Sequence, residues 1–172
     1  VSGARVFTLS PPTITETGPS QASRAVAPGS VKSLPHSTVR GFAPFSEMAG
    51  HMVLQIAARY LQNTEGGRGI LFGAVPCVAP PTVLVLGAGR VGHAVARHAL
   101  NAGAHVIVLD SDVGKLRRLH DETNGQVVTV VAGSARLEKF TSIADVVVGA
   151  VVIPGGRAPF VVSEDMVREM KN

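Results

Sequence analysis

The chain has 172 residues, a length that fits one domain of ordinary size together with some irregular sequence. Its formal net charge is +4, but the basic residues are scattered and alternate with no aromatic cluster, so the composition does not favour nucleic-acid binding. The single cysteine, Cys77, excludes an intrachain disulfide and any paired-cysteine metal or redox motif. No apolar run is long enough to span a bilayer, so we predict no membrane segment.

Residues 1–40 are predicted to be an irregular tail or linker. They are rich in Ser, Pro, Thr and Gly and show no sustained apolar period, so packing cannot offset the entropy lost on ordering. Within them, Val6-Phe7-Thr8-Leu9 can form a short strand that Pro11-Pro12 ends. A proline-rich docking peptide is the functional alternative for this segment.

The folded domain is predicted at residues 41–172 and opens with a helix over 46–63. Ser46 is a candidate N-cap, and Glu47 puts negative charge in the first turn. One apolar face recurs at helical spacing; it consists of Met48, Met52, Val53, Ile56, Ala57, Tyr60 and Leu61. The helix either links domains or subunits or simply covers the sheet, and the sequence leaves both interpretations open.

A glycine-rich motif, Gly87-Ala88-Gly89-Arg90-Val91-Gly92, separates a predicted strand at 82–86 from a helix at about 89–101. The first glycine allows a tight turn, the second removes a Cβ that would block a pyrophosphate, and the third lets helix and strand pack closely. The N-terminus of such a helix presents unpaired N–H groups and the positive end of its dipole to phosphates. The motif therefore predicts a dinucleotide-binding site.

Asp110 supplies the second part of this prediction. It ends the next predicted strand, 104–110, and comes 18 positions after Gly92, close to the spacing at which an acid accepts hydrogen bonds from a dinucleotide ribose. A carboxylate at this position favours NAD over NADP, because a 2′-phosphate would meet negative charge. Lys115, about one helical turn further on, either reaches the adenosine end of the cofactor or is an ordinary surface lysine.

Strands and helices continue to alternate after Asp110. The pattern predicts a helix at 111–123 that Asn124-Gly125 ends, and then a strand, a helix, a strand and a last helix at 126–131, 134–142, 144–153 and 166–170. This order predicts right-handed crossovers and an α/β fold, a Rossmann-type doubly wound parallel sheet. We expect the sheet to be truncated at its C-terminal strands, and the ligand to lie where Gly87, Asp110 and the 153–156 loop converge.

No metal site is predicted. His93 and His98 lie on the predicted helix at 89–101, and neither has a partner at a metal-binding spacing such as that of HExxH. We interpret both as ordinary helical histidines, buried with a partner or exposed.

Five segments resemble the NAD-binding domain of bacterial alanine dehydrogenases. They are residues 43–50 (APFSEMAG), 66–69 (GGRG), 73–76 (GAVP), the 87–92 turn and 150–159 (AVVIPGGRAP). The last segment resembles the family string AVLVPGAKAP, which is far more specific than a glycine motif. The resemblance implies the reversible, NAD-dependent oxidative deamination of L-alanine to pyruvate and ammonia by a cytoplasmic homo-hexamer.

The resemblance also implies cofactor contacts, position by position. Ser46 matches a cofactor-contacting serine, Asp110 the ribose acid and Lys115 a lysine at the adenosine end. Val152 and Ile153 match the loop that flanks the nicotinamide. The pyrophosphate turn corresponds to Gly87, Ala88 and Gly89, followed by Arg90, Val91 and Gly92.

The sequence also departs from the family. Val131-Ala132 stands where a Tyr-Ser pair is common, and the family's substrate-binding lysine, arginine and histidine match no residue here. The family's catalytic aspartate lies shortly beyond the last residue, so no catalytic residue is assigned and we expect dinucleotide binding without turnover of alanine. One alternative is the NAD-binding part of a proton-translocating transhydrogenase α subunit, which the 153–159 loop also resembles. Another is a non-enzymatic NAD-sensing module, since no catalytic group is visible.

Overall fold

A computed structural model describes residues 5–10, 13–17, 43–151 and 162–170. The strands are β1 (Arg5–Ser10), β2 (Thr13–Thr17), β3 (Thr82–Leu86), β4 (His105–Asp110), β5 (Val128–Val131) and β6 (Val146–Gly149). The helices are α1 (Ala43–Tyr60), α2 (Arg90–Asn101), α3 (Val113–Glu122), α4 (Ser134–Ile143) and α5 (Glu164–Arg168), with a 3-10 helix at Asn63–Glu65.

The described strands form one sheet in the order β2-β1-β6-β3-β4-β5. The pairs β3–β4, β4–β5, β3–β6 and β1–β6 are parallel, and β2 is antiparallel to β1. The chain builds β3, β4 and β5 in one direction and then returns to the other side of β3 to form β6. The predicted doubly wound α/β sheet is confirmed, and its direction of winding reverses between β3 and β6.

Helices cover both faces of the central strands, which explains their continuous runs of Val, Leu and Ile. One face of the sheet packs with residues of α1, α2 and α3; its buried strand residues are Val83, Val85, Val106, Val108, Val146 and Val148. The opposite face packs with residues of α4 and α5 and with Met170; its buried strand residues are Leu84, Leu86, Ile107, Leu109 and Val147. Successive strand residues point to opposite faces, so both faces contribute to the core.

The strands near the N-terminus differ from the predicted irregular tail. The strand predicted at Val6–Leu9 is confirmed as part of β1, whose Val6 pairs with Val147 of β6. The irregular structure predicted for the remainder of residues 1–40 is wrong at residues 13–17, which form β2. The physical reason is that β6 has a second edge of backbone N–H and C=O groups, which β1 satisfies, and that β2 then pairs with the other edge of β1. The proposed boundaries at 1–40 and 41–172 stay a prediction.

Helix α1 begins earlier than predicted, at Ala43 instead of residue 46. Pro44 is tolerated there because the first N–H groups of a helix have no intrahelical partner, so its missing N–H costs nothing. Ser46 consequently lies inside the first turn and is not the N-cap, which corrects the prediction. At the other end, α1 ends at Tyr60, and the 3-10 helix that follows it ends at Gly66, whose φ of 76° is left-handed.

Asp145 accepts two hydrogen bonds that hold the connection from α1 to β3 at the amino end of the sheet. Its Oδ1 accepts a hydrogen bond from Arg68 Nη1 at 2.7 Å, and its Oδ2 accepts one from the Thr82 N–H at 2.8 Å. The Asp145 side chain is only 7% exposed, and that of Arg68 is 29% exposed. Residues 66–81 are all described and contain no strand.

Candidate dinucleotide-binding site

The glycine-rich turn lies at the carboxyl end of β3, between the ends of β4 and β6. The Gly87 N–H donates to the Leu109 carbonyl at 2.7 Å, and the Ala150 N–H donates to the Leu86 carbonyl at 2.7 Å. Gly87 has a φ of +102°, and a Cβ there would lie 2.8 Å from the Ala150 carbonyl oxygen. Conformation and space therefore both require glycine at this position.

The other two glycines of the motif have different surroundings. A Cβ on Gly92 would overlap the Gly87 carbonyl oxygen, because the first turn of α2 packs directly against the glycine turn. A Cβ on Gly89 would meet no described atom within 4 Å. The fold thus explains why residue 92 is glycine but gives no packing reason for glycine at residue 89. The open space at Gly89 fits the close approach of a phosphate, which stays a prediction.

Helix α2 begins directly after Gly89, which is its N-cap, and no side chain in the described structure caps it. The side chain of Asp112 caps α3 and that of Ser163 caps α5, whereas α4, which follows Gly133, also has no side-chain cap. The first N–H groups of a helix have no intrahelical acceptors and carry its positive dipole end. An uncapped N-terminus that follows a glycine turn at the carboxyl edge of a sheet suits an anion such as a diphosphate. Arg90 is exposed and Val91 is half-buried in this first turn.

Asp110 ends β4 and joins two parts of the site through its carboxylate. Oδ2 accepts a hydrogen bond from the Ala88 N–H at 2.6 Å, and Oδ1 accepts one from the Asp112 N–H at 2.8 Å. A carboxylate has about four acceptor positions, so these two bonds leave capacity for ribose hydroxyls. Sequence reasoning missed the bond to Ala88, because a backbone donor carries no residue-type signal.

Lys115 lies in the first turn of α3, close in the chain to Asp110. Its Nζ is 3.7 Å from Asp112 Oδ2, and its side chain is 41% exposed. Asp112 Oδ1 accepts the N–H groups of Lys115 at 3.2 Å and Gly114 at 2.8 Å. The pKa of the Asp112 carboxyl is lowered, mainly by the hydrogen bond from the Lys115 N–H. The hydrogen bond from the Gly114 N–H and the charges of Lys115 and Arg118 lower it further. The ionised cap therefore positions the first turn of α3 and, with it, Lys115.

Ser46 is half-buried in the first turn of α1. The contacts described for this end of α1 are with α2: Glu47 forms a hydrogen bond with His98, and Gly50 packs against Ala94. A contact between Ser46 and a cofactor stays a prediction. Val152 and Ile153 lie outside the described residues.

Residues 53–172 match the family model described as "Alanine dehydrogenase/PNT, C-terminal domain". The chain belongs to the alanine dehydrogenase/PNT family. This confirms the resemblance inferred from the sequence motifs.

Curated members of the family show how much of the whole protein this chain represents. It is 45% identical over 129 residues to an alanine dehydrogenase of Mycolicibacterium smegmatis, a match that covers 75% of the chain and 35% of that relative. It is 42% identical over 139 residues to an alanine dehydrogenase of Staphylococcus saprophyticus, covering 81% of the chain and 38% of the relative. The chain therefore spans between a third and two fifths of the length of these relatives.

Solved structures were compared with the chain as well, and one of them agrees with the family assignment. An L-alanine dehydrogenase structure has a TM-score of 0.75 and 38% sequence identity, covering 80% of this chain and 38% of that one. A transhydrogenase from Sinorhizobium meliloti, with a TM-score of 0.58 and 22% identity, shares the fold.

The described residues fit NAD, the cofactor that the family match supports. The open approach at Gly89, the uncapped start of α2 and the remaining acceptor capacity of Asp110 lie at one edge of the sheet. Among the described helices, none combines the length and the apolar character needed to cross a membrane.

Proposed function

We propose that the chain is the NAD-binding part of an alanine dehydrogenase, which interconverts L-alanine with pyruvate and ammonia. The observation that carries this proposal is the bond from the Ala88 N–H to Asp110, which joins the phosphate turn and the ribose acid into one unit. Bound NAD supplies the hydride acceptor. Relatives that are 42–45% identical are alanine dehydrogenases, which favours this function over a transhydrogenase subunit or an NAD-sensing module.

Each residue of the site has a proposed task in holding the cofactor. The N–H groups from Gly89 to Gly92 bind the diphosphate, aided by the positive end of the α2 dipole. Asp110 accepts hydrogen bonds from the adenosine ribose, and its charge disfavours a 2′-phosphate. Lys115 offers a cation near the adenosine end. Ser46, Val152 and Ile153 are proposed as further contacts on the strength of the family resemblance.

Outside this chain, the whole protein is proposed to supply the groups that bind and protonate alanine or pyruvate. We also propose, from the family resemblance, that the whole enzyme is a cytoplasmic homo-hexamer. Neither nucleic acid nor a membrane is a proposed partner.

Asp110→Ala is expected to weaken NAD binding by roughly tenfold or more, because a hydrogen bond to a charged group contributes about 1.5–3 kcal/mol. Calorimetric titration of the chain with NAD and with NADP measures this effect. Loss of the hydrogen bond to the Ala88 N–H alone would lower the affinities for NAD and NADP equally. We therefore expect the wild-type preference for NAD to shrink in the variant, which isolates the contribution of the ribose.

Asp121→Ala is the matched control, because Asp121 is an exposed acid on the same α3 helix. It is expected to leave both affinities unchanged. If the wild-type chain binds NADP as tightly as NAD, the proposed contact between Asp110 and the ribose is wrong.

The isolated chain is expected to bind NAD without producing NADH from L-alanine, because none of its residues matches the family's substrate-binding and catalytic groups. Absorbance at the NADH band during incubation with NAD and L-alanine measures this, with a full-length alanine dehydrogenase as positive control. Steady NADH formation by the isolated chain would contradict the proposed division of tasks.

A further inference from the structure

Three side chains with metal-ligating atoms meet between α1 and α2, away from the glycine turn. Glu47 and His51 lie on α1, and His98 lies on α2. Each offers one ligand atom, and these three atoms lie within 4.8 Å of one another. The His51 and His98 ring centroids are 3.3 Å apart, with ring planes inclined at 38°. Glu47 Oε2 is 3.3 Å from His98 Nε2.

The chemistry of this cluster suits a borderline divalent ion such as Zn²⁺. Two imidazoles and one carboxylate are typical zinc ligands, whereas Ca²⁺ and Mg²⁺ prefer oxygen ligands alone. Two ligand atoms that are both 2.0–2.1 Å from a tetrahedral ion lie roughly 3.4 Å apart. The Glu47–His98 distance of 3.3 Å already meets that requirement.

Glu47 and His51 are spaced i, i+4, which places both side chains on the same face of α1. The third ligand, His98, lies on α2, so no spacing pattern within one helix contains all three ligands. The interpretation of His98 as an ordinary helical histidine rested on spacing within a single helix. The Glu-x-x-x-His spacing in residues 47–51 is the sequence signal that was available.

The backbones that carry these ligands are held by close packing of the two helices. A Cβ added to Gly50 would lie 2.8 Å from the Ala94 Cβ and 3.0 Å from the Val95 nitrogen, so glycine is what lets α1 approach α2 so closely. Further along the same contact, Val53 and Ala57 are buried in the core. A metal ion would therefore need only side-chain rotations at Glu47 and His51, both of which are exposed.

We propose that Glu47, His51 and His98 bind one divalent transition-metal ion of the zinc type, which cross-links α1 to the cofactor-binding helix α2. The partly exposed position leaves room for a water molecule as the fourth ligand. Without an ion, Glu47 and His98 share only a partly exposed hydrogen bond, an interaction of small stabilising effect.

The test is titration of the chain with ZnCl₂ against a competing chelator, followed by the same titration of single-site variants. We expect one tightly bound ion per chain. Removing one ligand in His51→Ala, His98→Ala or Glu47→Gln should weaken binding by at least tenfold, since even supporting second-shell contacts contribute tenfold or more. Co²⁺ bound to the wild type should show the intense visible absorption of a four-coordinate site, and His98→Ala should lose it.

His93→Ala is the matched control, because His93 also lies on α2 and also faces a carboxylate, with Nε2 2.8 Å from Glu122 Oε2. Zinc affinity and the Co²⁺ spectrum should not change in this variant. Circular dichroism establishes that each variant is folded. The proposal is overturned if wild type and a folded His51→Ala/His98→Ala variant bind zinc equally, or if His93→Ala lowers the affinity as much as His98→Ala.

Discussion

Gly92→Ala is expected to lower the free energy of unfolding by about 3 kcal/mol, at the upper end of the cost of overpacking a tight contact. The added Cβ would overlap the Gly87 carbonyl oxygen. That oxygen is part of a backbone held by Leu109 on one side and closely approached by Ala150 on the other, so it cannot easily move away. The gain in helix propensity from glycine to alanine, about 1 kcal/mol, is too small to offset this overlap.

Gly89→Ala provides the comparison within the same turn. Its Cβ would meet no described atom within 4 Å, and its φ of −71° with a ψ of −173° suits alanine. Urea denaturation should therefore show a stability within about 1 kcal/mol of wild type. NAD affinity, in contrast, should fall at least tenfold, because the Cβ occupies the proposed approach of the diphosphate.

Gly133→Ala is the matched control for both variants. Gly133 is the N-cap of α4, has extended backbone angles, and also has open space around the missing Cβ. The same chemical change at the start of α4, a helix that is not proposed to bind the diphosphate, should lower NAD affinity less than Gly89→Ala does. Equal affinities for Gly89→Ala and Gly133→Ala would contradict the phosphate approach at Gly89, and a wild-type urea midpoint for Gly92→Ala would refute the packing explanation.

Features that depend on neighbours in the chain could be predicted from the sequence. The apolar run at 82–86, the glycine turn and the strand ending at Asp110 are local patterns, and the structure has β3, α2 and β4 at these positions. The stop after α3 is equally local, since Asn124 and Gly125 both have positive φ values, 50° and 73°.

Features that depend on distant parts of the chain could not be predicted in the same way. The pairing of β1 with β6 joins residues about 140 positions apart and depends on an unsatisfied strand edge. The hydrogen bond between Asp110 and the Ala88 N–H uses a backbone donor. Every residue type except proline has this donor, so the residue at position 88 does not indicate the bond. The contact of Glu47 and His51 with His98 depends on how α1 and α2 pack. Gly50 allows this close packing, but a glycine in the sequence does not indicate which helix packs against it.

Asp145→Ala is expected to destabilise the fold by about 2–3 kcal/mol, because it removes an acceptor from two donors at once. The Thr82 N–H at the start of β3 loses its 2.8 Å hydrogen bond, and the Arg68 guanidinium loses its 2.7 Å partner. Breaking a fully buried pair costs about 3–5 kcal/mol, and the 29% exposure of Arg68 allows water to compensate in part. Urea denaturation followed by circular dichroism measures the change.

Two further variants separate the contributions of these donors. Asp145→Asn keeps an acceptor for the Thr82 N–H while removing the charge. Arg68→Ala keeps the Thr82 hydrogen bond while removing the guanidinium. Each variant should therefore lower the free energy of unfolding by less than Asp145→Ala does. In the double variant, the effects of Arg68→Ala and Asp145→Ala should not add, as expected for residues in direct contact. Asp145 lies at the amino end of β6, opposite the glycine turn, so the folded fraction of every variant should bind NAD with wild-type affinity. A change in that affinity would mean that the two ends of the sheet are coupled, and additive costs would mean that the Arg68–Asp145 contact contributes nothing to stability.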